Sequence, residues 1–217
     1  MTSSAAPARQ QRRTDRTRAR LLDAAQEVFA ERGYDAASLA EITQRADLGT
    51  GTLYLHFRDK RSIYEAMVRR LGLAVRERWI SERSAPSSPR GDVNAEVRLL
   101  CKVIVESWSD ANPRLMRLVL LDGPPLETWF VEDVGRVIAP VLAEHVADAP
   151  LLAHLVIGAL LAAERFRLTQ GPSVSDQHLM DTVAQFCAEG IAAEPKAPAP
   201  KRAKRHLRPA PRTERKR

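Results

Sequence analysis

The chain has 217 residues, of which 44% are hydrophobic, and a formal charge of +7. This length suits one mid-sized domain or a small domain joined to a larger one, and two cysteines, Cys101 and Cys187, are too few for a disulfide framework. The longest apolar run, 151–163, is too short to span a bilayer and no signal peptide is visible, so we expect a soluble cytoplasmic protein that does not contact a membrane.

The positive charge lies at the two ends of the chain. Residues 1–20 contain six arginines and one acidic residue, and residues 194–217 contain ten lysines or arginines and two acidic residues. The intervening residues, 21–193, therefore carry a net charge of −6. Basic ends attract polyanions, above all nucleic acid, although they can also serve only to keep a protein soluble. We predict a flexible basic arm over 1–20 and a disordered basic tail over 194–217.

Helices are predicted along nearly the whole chain, because apolar residues recur at helical spacing and no sustained strand alternation occurs. The first helix is expected to end at Gly33. A second helix is predicted over 38–46, starting with a capping box in the sequence SLAE. The tripeptide 47–49 forms a turn before a short third helix over 50–57, and a fourth helix begins near Asp59. The buried face of the first helix is formed by Leu21, Leu22, Ala25, Val28 and Phe29.

Five further helices are predicted in the second half of the chain, separated by breaks that contain proline or glycine. They span about 93–109, 113–121, 126–146, 151–168 and 175–192. The chain is therefore expected to be an all-α protein of about nine helices.

The second and third helices have the spacing of a helix-turn-helix, which places its second helix in the major groove of DNA. Leu48, in the turn, is expected to pack beneath the helix pair. The small core would consist of Leu39, Ile42, Leu53 and Phe57 packed against Leu22, Ala25 and Phe29. The third helix then presents hydroxyls, an imidazole and a glycine outward, on Thr50, Gly51, Thr52, Tyr54 and His56. An ordinary surface helix with a polar face has the same pattern, so spacing alone leaves both interpretations open.

The stretch 21–64, LLDAAQEVFAERGYDAASLAEITQRADLGTGTLYLHFRDKRSIY, resembles the DNA-binding domain of the TetR/AcrR family of repressors. The most specific part is GTLYLHF at 51–57, followed by RDK. The resemblance implies a three-helix DNA-binding domain with a helix-turn-helix over 21–60. It also implies a larger helical domain over 61–193 that binds an effector and dimerises. The candidate DNA-binding residues that follow from it are Ser38, Thr50, Gly51, Thr52, Tyr54, His56 and Lys60, with Lys60 touching phosphate and Ser38 capping the second helix.

The sequence departs from the family pattern at four positions. Asp47 stands in place of the usual turn glycine, Gly49 in place of a serine cap, Thr50 in place of a lysine and Leu55 in place of a second aromatic residue. Glycine replaces serine as a cap with little loss. The arginine-rich segment 9–20 would compensate for lost phosphate contacts by following the DNA backbone or entering an adjacent groove.

The larger domain shows no GxGxxG, P-loop or HExxH motif and no ligands at metal spacing, so we expect no enzymatic activity, no cofactor and no metal. The resemblance implies a small, largely apolar effector and a homodimer formed by the last two helices. Candidate effector-binding residues are Trp108, Met116, Trp129, Phe130 and Phe166. Candidate dimerisation residues are Leu152, Leu155, Val156, Ala159, Leu179, Val183 and Phe186. Both sets could equally be core residues of one chain.

The sequence thus favours a sequence-specific transcriptional regulator, a repressor that a small-molecule effector releases from a palindromic double-stranded operator. Two alternatives stay open at this point. One is a basic architectural DNA-binding protein without effector control, and the other is an adaptor whose helix-turn-helix no longer reads DNA.

Overall fold

The computed structural model describes residues 5–89, 91–125, 128–143, 148–170 and 174–192. Within these ranges the chain forms nine α-helices and no strand, which confirms the predicted all-α fold. A π-helical turn, Leu118–Asp122, continues the sixth helix. The helices are α1 Ala5–Ala36, α2 Leu39–Arg45, α3 Thr50–Tyr54, α4 Lys60–Ser84, α5 Val93–Ser109, α6 Pro113–Arg117, α7 Thr128–Leu142, α8 Ala149–Gln170 and α9 Asp176–Ala192.

Helix α1 begins far earlier than the sequence pattern indicated. The predicted flexible arm over 1–20 differs from the structure, because residues 5–20 are helical. Extending an existing helix fixes one residue per hydrogen bond, and alanine, glutamine and arginine are good helix formers. Gly33 interrupts the helix as predicted, with φ of 79°, a conformation that glycine adopts without strain.

The predicted small core of the N-terminal domain is confirmed. Ile42, Leu53 and Phe57 are buried against the apolar face of α1, where Ala25 and Phe29 have no exposed surface. Leu39 and Leu48 are only partly buried and pack at the edge of this core. The long helix α1 and the short helices α2 and α3 are therefore fixed to one another by a few large apolar side chains.

Helix α4 connects this domain to the larger one. Within the first half of α4, Arg70 donates hydrogen bonds to Asp23 (2.6 Å) and Gln26 (2.7 Å) of α1. Further along, Val75 and Trp79 are buried, and α4 packs against α5 and α7. One helix thus contacts the cores of both domains.

In the larger domain α7 packs on α8, and α5 and α8 pack on α9. Three predicted bounds differ from the structure, and the first is the end of α7, which lies at Leu142 instead of about residue 146. The predicted helix 113–121 is α6 followed by the π-helical turn, and the predicted break at 149–150 is the start of α8. Proline is well tolerated in a first helical turn, where its missing N–H would have no helical partner, and Asp148 accepts a hydrogen bond from Leu151 N at 3.2 Å.

Helix α8 is long and apolar enough to cross a membrane by length and composition alone. Its residues Val156, Ile157 and Leu160 are buried within the protein, and Glu164 is buried beside Arg167. A buried core helix meets the same length and composition test.

Candidate nucleic-acid interface

The start of α2 is fixed by the predicted capping box. The Ser38 hydroxyl accepts a hydrogen bond from Glu41 N at 3.2 Å, and the Glu41 carboxylate accepts one from Ser38 N at 2.9 Å. The Ser38 hydroxyl also donates to the Glu41 carboxylate at 2.9 Å. This bond, then the one from Ser38 N and the positive charge of Arg32, lower the pKa of the Glu41 carboxyl. Ser38 itself is exposed, so its capping role is confirmed while its contact with DNA stays a prediction.

The turn between α2 and α3 contains a residue in the left-handed conformation. Asp47, at the usual glycine position, has φ of 50°, and no other described residue apart from glycine has a positive φ. Aspartate tolerates this conformation better than most residues. Arg20 of α1 holds the same turn, since its guanidinium donates to Ala46 O at 2.6 Å and lies 3.8 Å from the Asp47 carboxylate.

Helix α3 is buried on one side and open on the other. Leu53 is fully buried, whereas Thr50, Gly51 and Tyr54 are exposed, Tyr54 to 57%. Thr52 and His56 are half-buried at the edges of the open side. The structure therefore brings the five predicted α3-region residues together on one rigid, mostly polar surface, 50–56.

Gly51 leaves open space on this surface. A Cβ atom built on it meets no atom within 4 Å, so no packing within the chain requires glycine there. Leu55, which is not among the predicted DNA-binding residues, is 84% exposed beside Tyr54. The signal for Leu55 was available, because it occupies the position of the second aromatic residue in the family pattern.

Lys60 opens α4 as expected, and its ammonium group is hydrogen-bonded within the protein. Its ammonium group donates to the carbonyls of Tyr34 (2.7 Å), Asp35 (2.9 Å) and Ala37 (3.1 Å), and lies 4.7 Å from the centre of the Tyr34 ring. An ammonium group has three N–H donors. All three have acceptors here, so Lys60 ties the end of α1 to the start of α4, and its phosphate contact stays a prediction.

A family profile described as "Bacterial regulatory proteins, tetR family" matches residues 21–67, the segment that holds the capping box, the turn and α3. The chain belongs to the TetR/AcrR family of transcriptional regulators. It is accordingly a DNA-binding protein that regulates transcription.

Relatives and solved structures extend the likeness of this TetR-family chain beyond the DNA-binding domain. The HTH-type transcriptional regulator BetI of Paraburkholderia phytofirmans is 26% identical over 75% of this chain and 91% of its own length. A TetR-family regulator from Pectobacterium atrosepticum has a TM-score of 0.64 at 24% identity, covering 85% of this chain and 98% of that one. FadR from Bacillus subtilis, solved with stearoyl-CoA, has a TM-score of 0.63 at 16% identity, covering 79% and 97%.

In the larger domain of this TetR-family regulator, the three predicted effector residues whose side chains the structure describes differ in burial. Trp108 and Met116 are buried in the core, and Phe166 is 58% exposed. The side chains of Trp129 and Phe130 lie outside the described residues. A groove of about 400 Å³ lies elsewhere, between α4 and α7. Its lining includes Arg69, Leu73 and Arg76 from α4 and Asp133, Arg136 and Val137 from α7.

The predicted dimerisation residues divide into two groups. Val156, Leu179 and Val183 are buried within the chain, and Leu152 and Ala159 are partly buried. Leu155 and Phe186 are exposed to 59% and 72%. Among the described residues, no group of three or more histidine, cysteine or acidic side chains is placed to hold a metal ion.

Proposed function

We propose that this TetR-family regulator is a cytoplasmic homodimeric repressor that binds a palindromic operator and is released by a small effector. The observation that carries the proposal is the open surface of α3. Leu53 anchors the helix, while Thr50, Gly51 and Tyr54 face outward. A short helix held this way, with hydroxyls and no long side chain at its start, fits the major groove and its phosphate edges.

The dimer is supported by an exposed apolar stripe on α8. Leu151 and Leu155 are exposed to 54% and 59%, and Gly158, Ala162 and Phe166 continue the same face at spacings of three and four residues. On α9, Phe186 is exposed to 72%. Exposed apolar surface of this extent marks an interaction site, and two copies would bury it in an intermolecular four-helix bundle.

Substituting Phe186 tests the dimer. Phe186→Arg introduces a charge on the exposed side of α9 without disturbing the protomer core, so we expect a monomer in sedimentation or light scattering. Leu73→Arg, at a residue of α4 that is 51% exposed, is the matched control and should remain dimeric. A Phe186→Arg protein that stays dimeric would mean that the contact lies elsewhere.

The groove between α4 and α7 is the proposed effector site. Its rim carries Arg69, Arg76 and Arg136. Asp133 lies 3.5 Å from Arg69 and 3.4 Å from Arg136, and Glu132 lies 3.6 Å from Arg136. Leu73 and Val137 give it an apolar floor. This combination favours an effector with an apolar body and an anionic group, a class to which the stearoyl-CoA bound by Bacillus subtilis FadR also belongs.

Release would act through α4, which lines the groove and is tied to α1. An effector that displaces α4 would change the separation of the two α3 helices in a dimer, which must match successive major grooves about 34 Å apart. Effector and DNA would then weaken each other's binding, typically by 1–3 kcal/mol of coupling free energy.

Selection of bound duplexes from random DNA tests the proposal as a whole, and a palindromic site is the expected result. Tyr54→Ala should then weaken binding to the selected duplex by about tenfold or more, the loss of about 1.4 kcal/mol, and leave the dimer intact. Adding stearoyl-CoA should weaken wild-type binding, whereas free coenzyme A is the control. A protein without any sequence preference would instead be the architectural alternative.

A further inference from the structure

The N-terminal part of α1 carries five arginines on one face. Consecutive residues of an α-helix are rotated by about 100°, so these positions fall within an arc of roughly 100°. All five residues are exposed. The members of this arginine face are Arg9, Arg12, Arg13, Arg16 and Arg20.

The charge of the arginine face is not compensated within the described part of the chain. Arg20 contacts the turn before α3, and the other four members form no ion pair with any described residue. Asp15, the acidic residue of this segment, lies off the face and accepts a hydrogen bond from Gln11 at 2.9 Å. The face therefore presents about four unpaired positive charges on one side of a helix.

The same segment is anchored on its opposite side. Arg18 lies over the Phe57 ring at 4.7 Å from its centre, and Leu21 and Leu22 are buried directly after it. Because α1 is helical without interruption from residue 5 to residue 32, the arginines keep a fixed relation to the part of α1 that packs on the helix-turn-helix. Arg20 places the end of the arginine face at the turn that leads into α3.

We infer that the arginine face of α1 binds the phosphate backbone of duplex DNA beside the segment that α3 reads. This inference rests on the proposed function of α3. Arg9 and Arg20 are separated by about 16 Å along the helix, a length that corresponds to about five base pairs of duplex. A preformed helix avoids the ordering cost that a flexible basic tail pays on binding, so the contact extends the DNA site on each side of a two-fold operator.

The test uses the full chain and a duplex selected from random DNA by the wild-type protein. Each lost phosphate contact lowers the slope of log K against log salt by about 0.9. Replacing Arg9, Arg12, Arg13 and Arg16 with glutamine, a comparable helix former, should therefore lower the slope by about 3–4 per protomer while the preferred sequence is unchanged. Lysine at the same four positions should retain the slope. The matched charge control replaces Lys201, Arg202, Lys204 and Arg205 with glutamine.

The length of the DNA footprint distinguishes a contact made by the helical arginine face from one that requires only positive charge. The glutamine variant should lose protection of about five base pairs at each flank, and a duplex trimmed by that length should bind wild type and variant alike. Thr14→Pro keeps every arginine but breaks the helix, so it should lose the same flanks. The tail control should retain them.

Either of two results overturns the inference: an unchanged slope and footprint in the glutamine variant, or full flank protection by Thr14→Pro. Failure of the proposed function would differ, because wild-type protein would then show no sequence preference and no response to Tyr54→Ala.

Discussion

Lys60 offers a direct test of how this regulator is built, because sequence and structure give it different roles. Lys60→Met removes three hydrogen bonds to main-chain carbonyls and keeps most of the aliphatic stem. Hydrogen bonds from a charged donor contribute about 1.5–3 kcal/mol each when shielded. The Lys60 ammonium group is partly exposed, and in the variant water can hydrogen-bond to the carbonyls in its place. We therefore expect a total loss of about 2–3 kcal/mol in the free energy of unfolding.

For a chain of this size 1 kcal/mol shifts the melting temperature by about 2–4 °C, so Lys60→Met should melt roughly 5–10 °C lower at equal protein concentration. Arg58→Met is the matched control, since Arg58 is 88% exposed and its one ion pair within the described ranges is with Asp59. The melting temperature of this variant should hardly change. The reasoning is refuted if Lys60→Met melts like the control. A lower salt slope of DNA binding without lost stability would instead assign Lys60 to phosphate.

Three further substitutions, at two positions, test the helix-turn-helix. Gly51→Ala should raise the free energy of unfolding by up to about 1 kcal/mol, because alanine is the better helix former. The same variant should bind DNA more weakly, because its methyl group points into the open surface. Equal DNA affinity of variant and wild type would show that nothing approaches Gly51 closely. Asp47→Gly should raise the free energy of unfolding by about 0.5–1 kcal/mol, because glycine adopts the positive φ without strain, whereas Asp47→Val should lower it. Thermal melts of both variants show the direction of each change. A lower melting temperature for Asp47→Gly than for wild type would contradict the assignment of strain to the turn.

The N-terminal domain could be predicted from sequence because local chemistry specifies its elements. Ser38 and Glu41 satisfy the first amides of α2 by themselves, and Gly33 and Asp47 mark positive-φ positions whose residue types suit them. The helical extension over 5–20 could not be predicted from the sequence, since it buries little apolar surface of its own and continues from the amphipathic segment that begins at Leu21.

In the larger domain the sequence identified apolar helix faces but not their partners. Trp108 and Met116 were candidates for a pocket because aromatic and methionine side chains line such sites, yet the same side chains fill cores equally well. Val183 and Phe186 lie one helical turn apart on α9, and only the packing of α9 on α5 and α8 decides that Val183 is internal and Phe186 exposed. The spacing of apolar residues predicts which face of a helix is apolar, whereas tertiary contacts decide which part of that face lies in the core and which part stays exposed.

In the proposed mechanism of release, these contacts make α4 the helix that connects the groove to the DNA-binding domain. At its start Lys60 is bonded to the end of α1, ten residues later Arg70 is bonded to Asp23 and Gln26, and Arg69 and Arg76 face the groove on α7. A helix fixed to α1 at two separate points cannot move alone, so a displacement at the groove must carry α1 with it. Because α1 packs against α2 and holds the α2–α3 turn through Arg20, the whole DNA-binding domain would move as one body. An effector would therefore act by changing the distance between the two DNA-binding domains of a dimer, while the internal geometry of each helix-turn-helix is preserved.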